Sequence, residues 1–128
     1  MYKRQCVFAH KLNAFLFSHI TSGGSNKNSM FLYLKTKGQC EEELKNTEIK
    51  NLSIHRPGLI TDRENDPRCG EKFMSCIPFI PKIKSADLAK GIVNDAVQKL
   101  DKMTSGDEQV GKIRKIYEHK EILKLAKL

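Results

Sequence analysis

Tyr33 and Lys37 stand four residues apart in "HITSGGSNKNSMFLYLKTKGQ", 19–39, and Thr21 and Ser22 precede them by one short loop. A phenol can give a proton to a carbonyl oxygen, an ammonium four positions on leaves the same side of a helix, and a small hydroxyl can orient the carbonyl. These are parts for acid–base chemistry at a carbonyl or an alcohol. The pair alone is a weak signal: with 18 lysines and three tyrosines in 128 residues, such a spacing arises by chance about one time in three, and most such pairs are solvated. Its weight depends on the elements that would position it.

"AFLFSHIT", 14–21, is short, apolar and aromatic, which suits a buried strand. "SGGSNKNS" then breaks it with glycines and small polar residues. Ser29 is placed to cap a helix from about Met30 to Asn46, with Met30, Phe31 and Leu34 on its apolar face. "NLSIHRPG", 51–58, puts Leu52 and Ile54 on one side of a second strand, ended by Pro57 and Gly58. Strand, helix and strand in this order predict a parallel crossover. His19 and His55 fall inside the two strands and read as core or edge residues.

The polar segment 61–70 predicts a surface loop and "EKFMSC" a single helical turn. The prolines of "IPFIPKIK" forbid a central strand there. Ser85 is then placed to cap the most periodic helix, in which Leu88, Ala89, Ile92, Val93, Ala96, Val97 and Leu100 repeat at helical spacing. "GKIRKIY", 111–117, predicts a last strand and "HKEILKLAKL" a closing helix. The class is α/β, with about three strands and their helices in one domain over residues 1–128.

Composition narrows the function. The net charge of +8 is uneven: residues 1–40 hold Lys3, Arg4, Lys11, Lys27, Lys35 and Lys37 and no acid, whereas the rest hold 17 basic against 15 acidic residues. A basic start free of acid can be a mitochondrial presequence. Specific nucleic-acid binding is not expected, because no arginine stripe, helix-turn-helix pattern or interleaved aromatic set accompanies the charge. No apolar run approaches the roughly 18 residues that span a bilayer. Cys6, Cys40, Cys69 and Cys76 lack the paired spacing of a zinc site, so no metal is expected, and reduced thiols point to a cytoplasmic or nuclear setting.

The order of parts carries more than any one of them. Ligands of open parallel sheets bind beyond the carboxyl ends of the strands, where Thr21, Ser22 and the Arg56-Pro57-Gly58 turn arrive together. With "FLYLKTKG", "LSIHRPGLITDR" and "YEHKEILKLAKL" in sequence, residues 9–128 resemble the catalytic half of an atypical short-chain dehydrogenase/reductase, in particular the Tat-interacting oxidoreductase family. The resemblance implies the C-terminal part of a Rossmann-like, doubly wound parallel sheet and an NADP(H)-dependent site acting on a small carbonyl or alcohol. In it Tyr33 would be the proton donor, Lys37 would hold the nicotinamide ribose, Thr21 or Ser22 would orient the substrate, and Arg56, Pro57 and Gly58 would close backbone around the cofactor.

The chain departs from the pattern at its start. A dinucleotide fold holds the pyrophosphate on a glycine-rich turn at a helix N-terminus, and no such spacing occurs here. The first four strands of the family sheet are therefore expected to be missing, with the 14–21 strand left as an apolar edge. Two functions remain open: an oxidoreductase that is incomplete as this chain, binding NADP weakly or not at all, and a non-catalytic module that binds a protein partner through the open edge.

Overall fold

The computed structural model of the chain describes residues 11, 14–62, 80–105 and 113–128. The expected helical turn at 71–76, most of the 61–70 loop and three of the cysteines lie outside them. Strand β1 (Phe17–Ile20) is followed by helix α1 (Leu32–Lys45) and strand β2 (Leu52–Arg56). The short strands β3 (Leu59–Ile60) and β4 (Lys82–Ile83) lead to helix α2 (Ser85–Thr104), strand β5 (Arg114–Glu118) and helix α3 (His119–Ala126). β1, β2 and β5 form one parallel sheet in that order, with Phe17 beside Leu52 and Leu52 beside Arg114. β3 and β4 pair in parallel separately, so the proline-flanked 82–83 segment stays out of the main sheet. This is a mixed α/β fold consistent with part of a Rossmann-like sheet, and among the described residues β1 is an edge strand.

Alternation along the strands sorts side chains to two faces. Leu52 and Ile54 join Cys40, Leu44 and Ile49 in the core beneath α1, with Phe17 and Ile116 packed on it. On the opposite face Tyr117 packs with Ile83, Leu88, Ile122 and Leu125 under α2 and α3. Here β2 contributes Ser53 and His55, both fully buried. The Ser53 hydroxyl donates to the Asp95 carboxylate at 2.5 Å, Tyr117 donates to the same carboxylate, and Lys99 lies 2.8 Å from it. The Lys99 ammonium also donates to Ser53. His55 stacks on Tyr117 and has Nδ1 3.2 Å from the Ser18 hydroxyl; its Nε2 stands 3.6 Å from Asp95, without a hydrogen-bond partner among the described residues.

Four expectations about helix faces and starts are corrected. α1 begins at Leu32, not Met30, and the Ser29 hydroxyl accepts the Phe31 N–H ahead of the helix instead of capping it. Met30 and Phe31 are exposed, and the buried residues of α1 are Gly38, Cys40, Glu41 and Leu44, because only its second half lies over the sheet. Ser85 is the first residue of α2, and the cap comes from across the chain: the Asp62 carboxylate accepts the Ser85 N–H at 2.6 Å and its hydroxyl at 3.0 Å. The periodic stripe of α2 also splits. Leu88 is buried, whereas Val93, Val97 and Leu100 are about half exposed and Asp95 and Lys99 are inside.

Candidate active site

The hydrogen bonds of the β1–β2 pair continue past the strands. Thr21 N–H donates to the His55 carbonyl at 2.9 Å and Gly23 N–H to the Pro57 carbonyl at 2.8 Å. The hydroxyl-bearing turn and the Arg56-Pro57-Gly58 turn are thereby joined at the carboxyl edge of the sheet. The loop back to α1 then lies on the helix itself: a Cβ on Gly38 would stand 2.2 Å from the Lys27 nitrogen, so only glycine permits this backbone contact. Lys37, the residue before it, is half-buried, and its Nζ stands 5.8 Å from the centre of the Tyr33 ring. Tyr33 and Lys37 therefore share one side of α1, with Tyr33 open to solvent.

The two hydroxyls have different surroundings. Thr21 is buried and donates to Glu41 Oε1 at 2.6 Å. Ser22 is half-buried, and its hydroxyl makes a 3.3 Å contact with the adjoining Gly23 carbonyl. Glu41 also accepts from Arg56 Nε at 2.9 Å and Nη2 at 2.5 Å, while Arg56 Nη1 reaches Glu118 at 2.8 Å. Burial pushes the Glu41 carboxyl upward, but the hydrogen bonds from Arg56 and Thr21 outweigh it and hold the group below its usual range. The Arg56 guanidinium, fixed by two carboxylates, faces into the protein. Gly58 donates to His119 Nδ1 at 3.1 Å and lies so close to Pro81 that a Cβ would meet its carbonyl at 1.9 Å. The sequence pattern did not single out Glu41, although an acid one turn beyond Lys37 on a helix facing a sheet was the available signal.

No family model matches the chain. It is 36% identical over 77 residues to the mitochondrial protein fmp52 of Aspergillus fumigatus, a match covering 60% of the chain and 33% of that relative. It is 35% identical over 66 residues to the protein HTATIP2 of Rattus norvegicus, covering 48% and 27% respectively. With the mitochondrial protein FMP52-1 of Scheffersomyces stipitis the identity is 34% over 122 residues, covering 87% of the chain and 51% of the relative. The chain is a homologue of the Fmp52 and HTATIP2 proteins. It spans about half the length of these curated relatives or less. Several Fmp52 relatives are named mitochondrial, and nothing in them supports the cytoplasmic or nuclear expectation. No helix among the described residues is long and apolar enough to cross a membrane.

A dinucleotide fits the described residues at one end only. Tyr33 and Lys37, whose ammonium stands 5.8 Å from the centre of the phenol ring on one helix face, are a donor set suited to ribose hydroxyls. A pyrophosphate needs free backbone N–H groups at a helix N-terminus after a glycine-rich turn. The first turn of α2 already holds the Asp62 carboxylate, and α3 is closed by a Glu118–Glu121 capping box. α1 opens on exposed Met30 and Phe31, and Gly23 and Gly24 are separated from its first turn by the polar residues 25–29.

Proposed function

We propose that the chain carries the catalytic half of an NADP(H)-dependent oxidoreductase acting on a small carbonyl or alcohol, within one partial Rossmann-like domain. The carrying observation is Tyr33 and Lys37 together on one accessible face of α1, whose loop is pressed against the carboxyl edge of a parallel sheet. Tyr33 gives its proton to the carbonyl oxygen in reduction and takes it back in oxidation. Lys37 binds the ribose of the nicotinamide nucleotide and keeps the phenol beside the reacting atoms. Ser22 or Thr21 orients the carbonyl, and the joined turns at Gly23 and Pro57 form the floor. The cofactor, when bound, supplies or accepts the hydride. The likeness to HTATIP2, beside the family resemblance of residues 9–128, supports this class over a purely non-catalytic partner-binding module, and the Fmp52 names support a mitochondrial setting, which cell fractionation checks.

Pyrophosphate recognition is lacking among the described residues, so the 128-residue chain alone is expected to show little or no NADP(H) binding by nicotinamide fluorescence. A chain completed with a glycine-rich N-terminal half is expected to bind and to reduce a carbonyl. In that form Tyr33→Phe is expected to cut turnover by roughly 10²- to 10⁴-fold with cofactor affinity nearly unchanged. Unchanged turnover in Tyr33→Phe refutes the mechanism, and tight NADP(H) binding by the short chain refutes the need for completion.

A further inference from the structure

We propose that Glu41 is a positioning residue that clasps the two turns of the site to the Tyr33–Lys37 helix, and that it commits Thr21 to this clasp, leaving Ser22 as the hydroxyl that meets substrate. The inference rests on the oxidoreductase reading and deepens it. Tyr33, Lys37 and Glu41 are spaced four apart along α1 and so follow one side of the helix toward the sheet. Glu41 is 2% exposed and takes its three hydrogen bonds from two other elements, one from Thr21 just beyond β1 and two from Arg56 at the end of β2. Each element that carries a site residue thus ends on the same carboxylate. An arginine fork on a carboxylate fixes direction as well as distance, so the helix and the Arg56 turn have little freedom to shift or roll against each other.

The clasp also separates the hydroxyls. A hydroxyl has one proton, and that of Thr21 points to Glu41 at 2.6 Å inside the protein. It has none left for a carbonyl oxygen outside. Strand alternation accounts for Thr21: Phe17, His19 and Thr21 face α1, whereas Ser22 lies past the strand, in the turn that Ser25 closes. The Ser22 backbone is held by Ser25, while among the described residues its hydroxyl makes one long contact, to its neighbour's carbonyl, which rotation readily releases.

Two arms test the proposal. In the 128-residue chain, Glu41→Ala is expected to speed backbone amide exchange at Thr21 and Gly23 at least ten-fold, with α3 amides little changed. If that variant fails to fold, Thr21→Val, which keeps the volume, is expected to give the same local increase in smaller measure. Exchange unchanged in the folded variants overturns the clasp. In the completed, cofactor-binding form, Ser22→Ala is expected to lower kcat at least a hundred-fold with KM nearly constant, Thr21→Val less than ten-fold, and Thr21→Ser to restore the parent value. A silent Ser22→Ala beside a Thr21→Val as damaging as Tyr33→Phe overturns the assignment of Ser22. If Tyr33→Phe is itself silent, the reductase reading falls and takes the Ser22 assignment with it, while amide exchange still decides the clasp.

Discussion

The two faces of the sheet solve the burial of polar groups in opposite ways. Beneath α1 the core is apolar, and its one strong polar feature, Glu41 with Thr21 and Arg56, sits at the carboxyl edge where the strands give way to turns. Beneath α2 the polar groups lie in mid-sheet: Ser53 and His55 of the central strand meet Asp95, Lys99 and Tyr117, with Ser18 at the margin. A carboxylate at an edge can hold turns in place for a ligand. A charge pair sealed at the centre can only hold the fold, and its main effect is to reject alternatives, since a one-residue slip of β2 would present Leu52 and Ile54 to Asp95 and Lys99. Whether that pair adds stability over an apolar core is a separate matter, because desolvating two charges offsets much of their attraction.

The largest break in this contrast is expected from Asp95→Ala. Lys99 would be left buried and uncompensated, a loss of about 3–5 kcal/mol that approaches the whole stability of a small domain. Urea unfolding is expected to show a chain largely unfolded without denaturant. The double variant Asp95→Leu with Lys99→Met is expected to recover most of the loss, and failure to do so would show that the pair stabilises the fold outright.

Acid is expected to act next. Burial holds His55 below its usual pKa, Lys99 lowers it further and Asp95 opposes, so the folded chain keeps it neutral. The unfolded chain takes up that proton as pH falls through about 6.5, so this stability is present above that value and is lost progressively below it. His19 and His119 are also lowered, with burial the leading cause, and add to the slope. Asp95 and Glu41 are lowered carboxylates, whose contribution goes only at more acid pH, below about 4.5. The urea midpoint is therefore expected to fall between pH 7.5 and 5. His55→Phe, which retains the stacking surface toward Tyr117, is expected to flatten that fall; an unchanged slope would assign it to the other two histidines.

The smallest effect concerns the end of α1. Arg114 donates to the carbonyls of Lys45, Thr47 and Ile49 as the chain leaves the helix. Its exposure limits the contribution, so Arg114→Ala is expected to cost about 1 kcal/mol in urea unfolding. A much larger loss would mean that the apolar face depends on its boundary as strongly as the polar face depends on Asp95.

What was legible in the sequence follows the same division. The parallel β1–α1–β2 unit was readable because apolar strands and a polar, glycine-bearing loop contrast locally, and Tyr33 and Lys37 share a side because four residues make little more than one turn. The burial of α2 was not readable from its apolar stripe. Asp95 and Lys99 look like solvated charges until Tyr117, 22 residues beyond Asp95, is brought against them. Their spacing of four was the local hint. The burial of Thr21 against Glu41 depends on strand parity, which a boundary error of one residue reverses. Met30 and Phe31 misled because an apolar residue at a helix start has no fixed partner until the helix is docked.

Gly38 limits how far α1 can be improved. Replacing a mid-helix glycine by alanine is a routine stabilising change, with a gain of about 1 kcal/mol where the new methyl finds room. Here the methyl would meet the backbone at Asn26 and Lys27, and neither can rotate out of its way. The loop would have to lift from the helix, carrying with it the segment that joins Ser22 to Tyr33. Thermostability screens of this protein should therefore find Gly38 among the positions where a better helix makes a worse molecule.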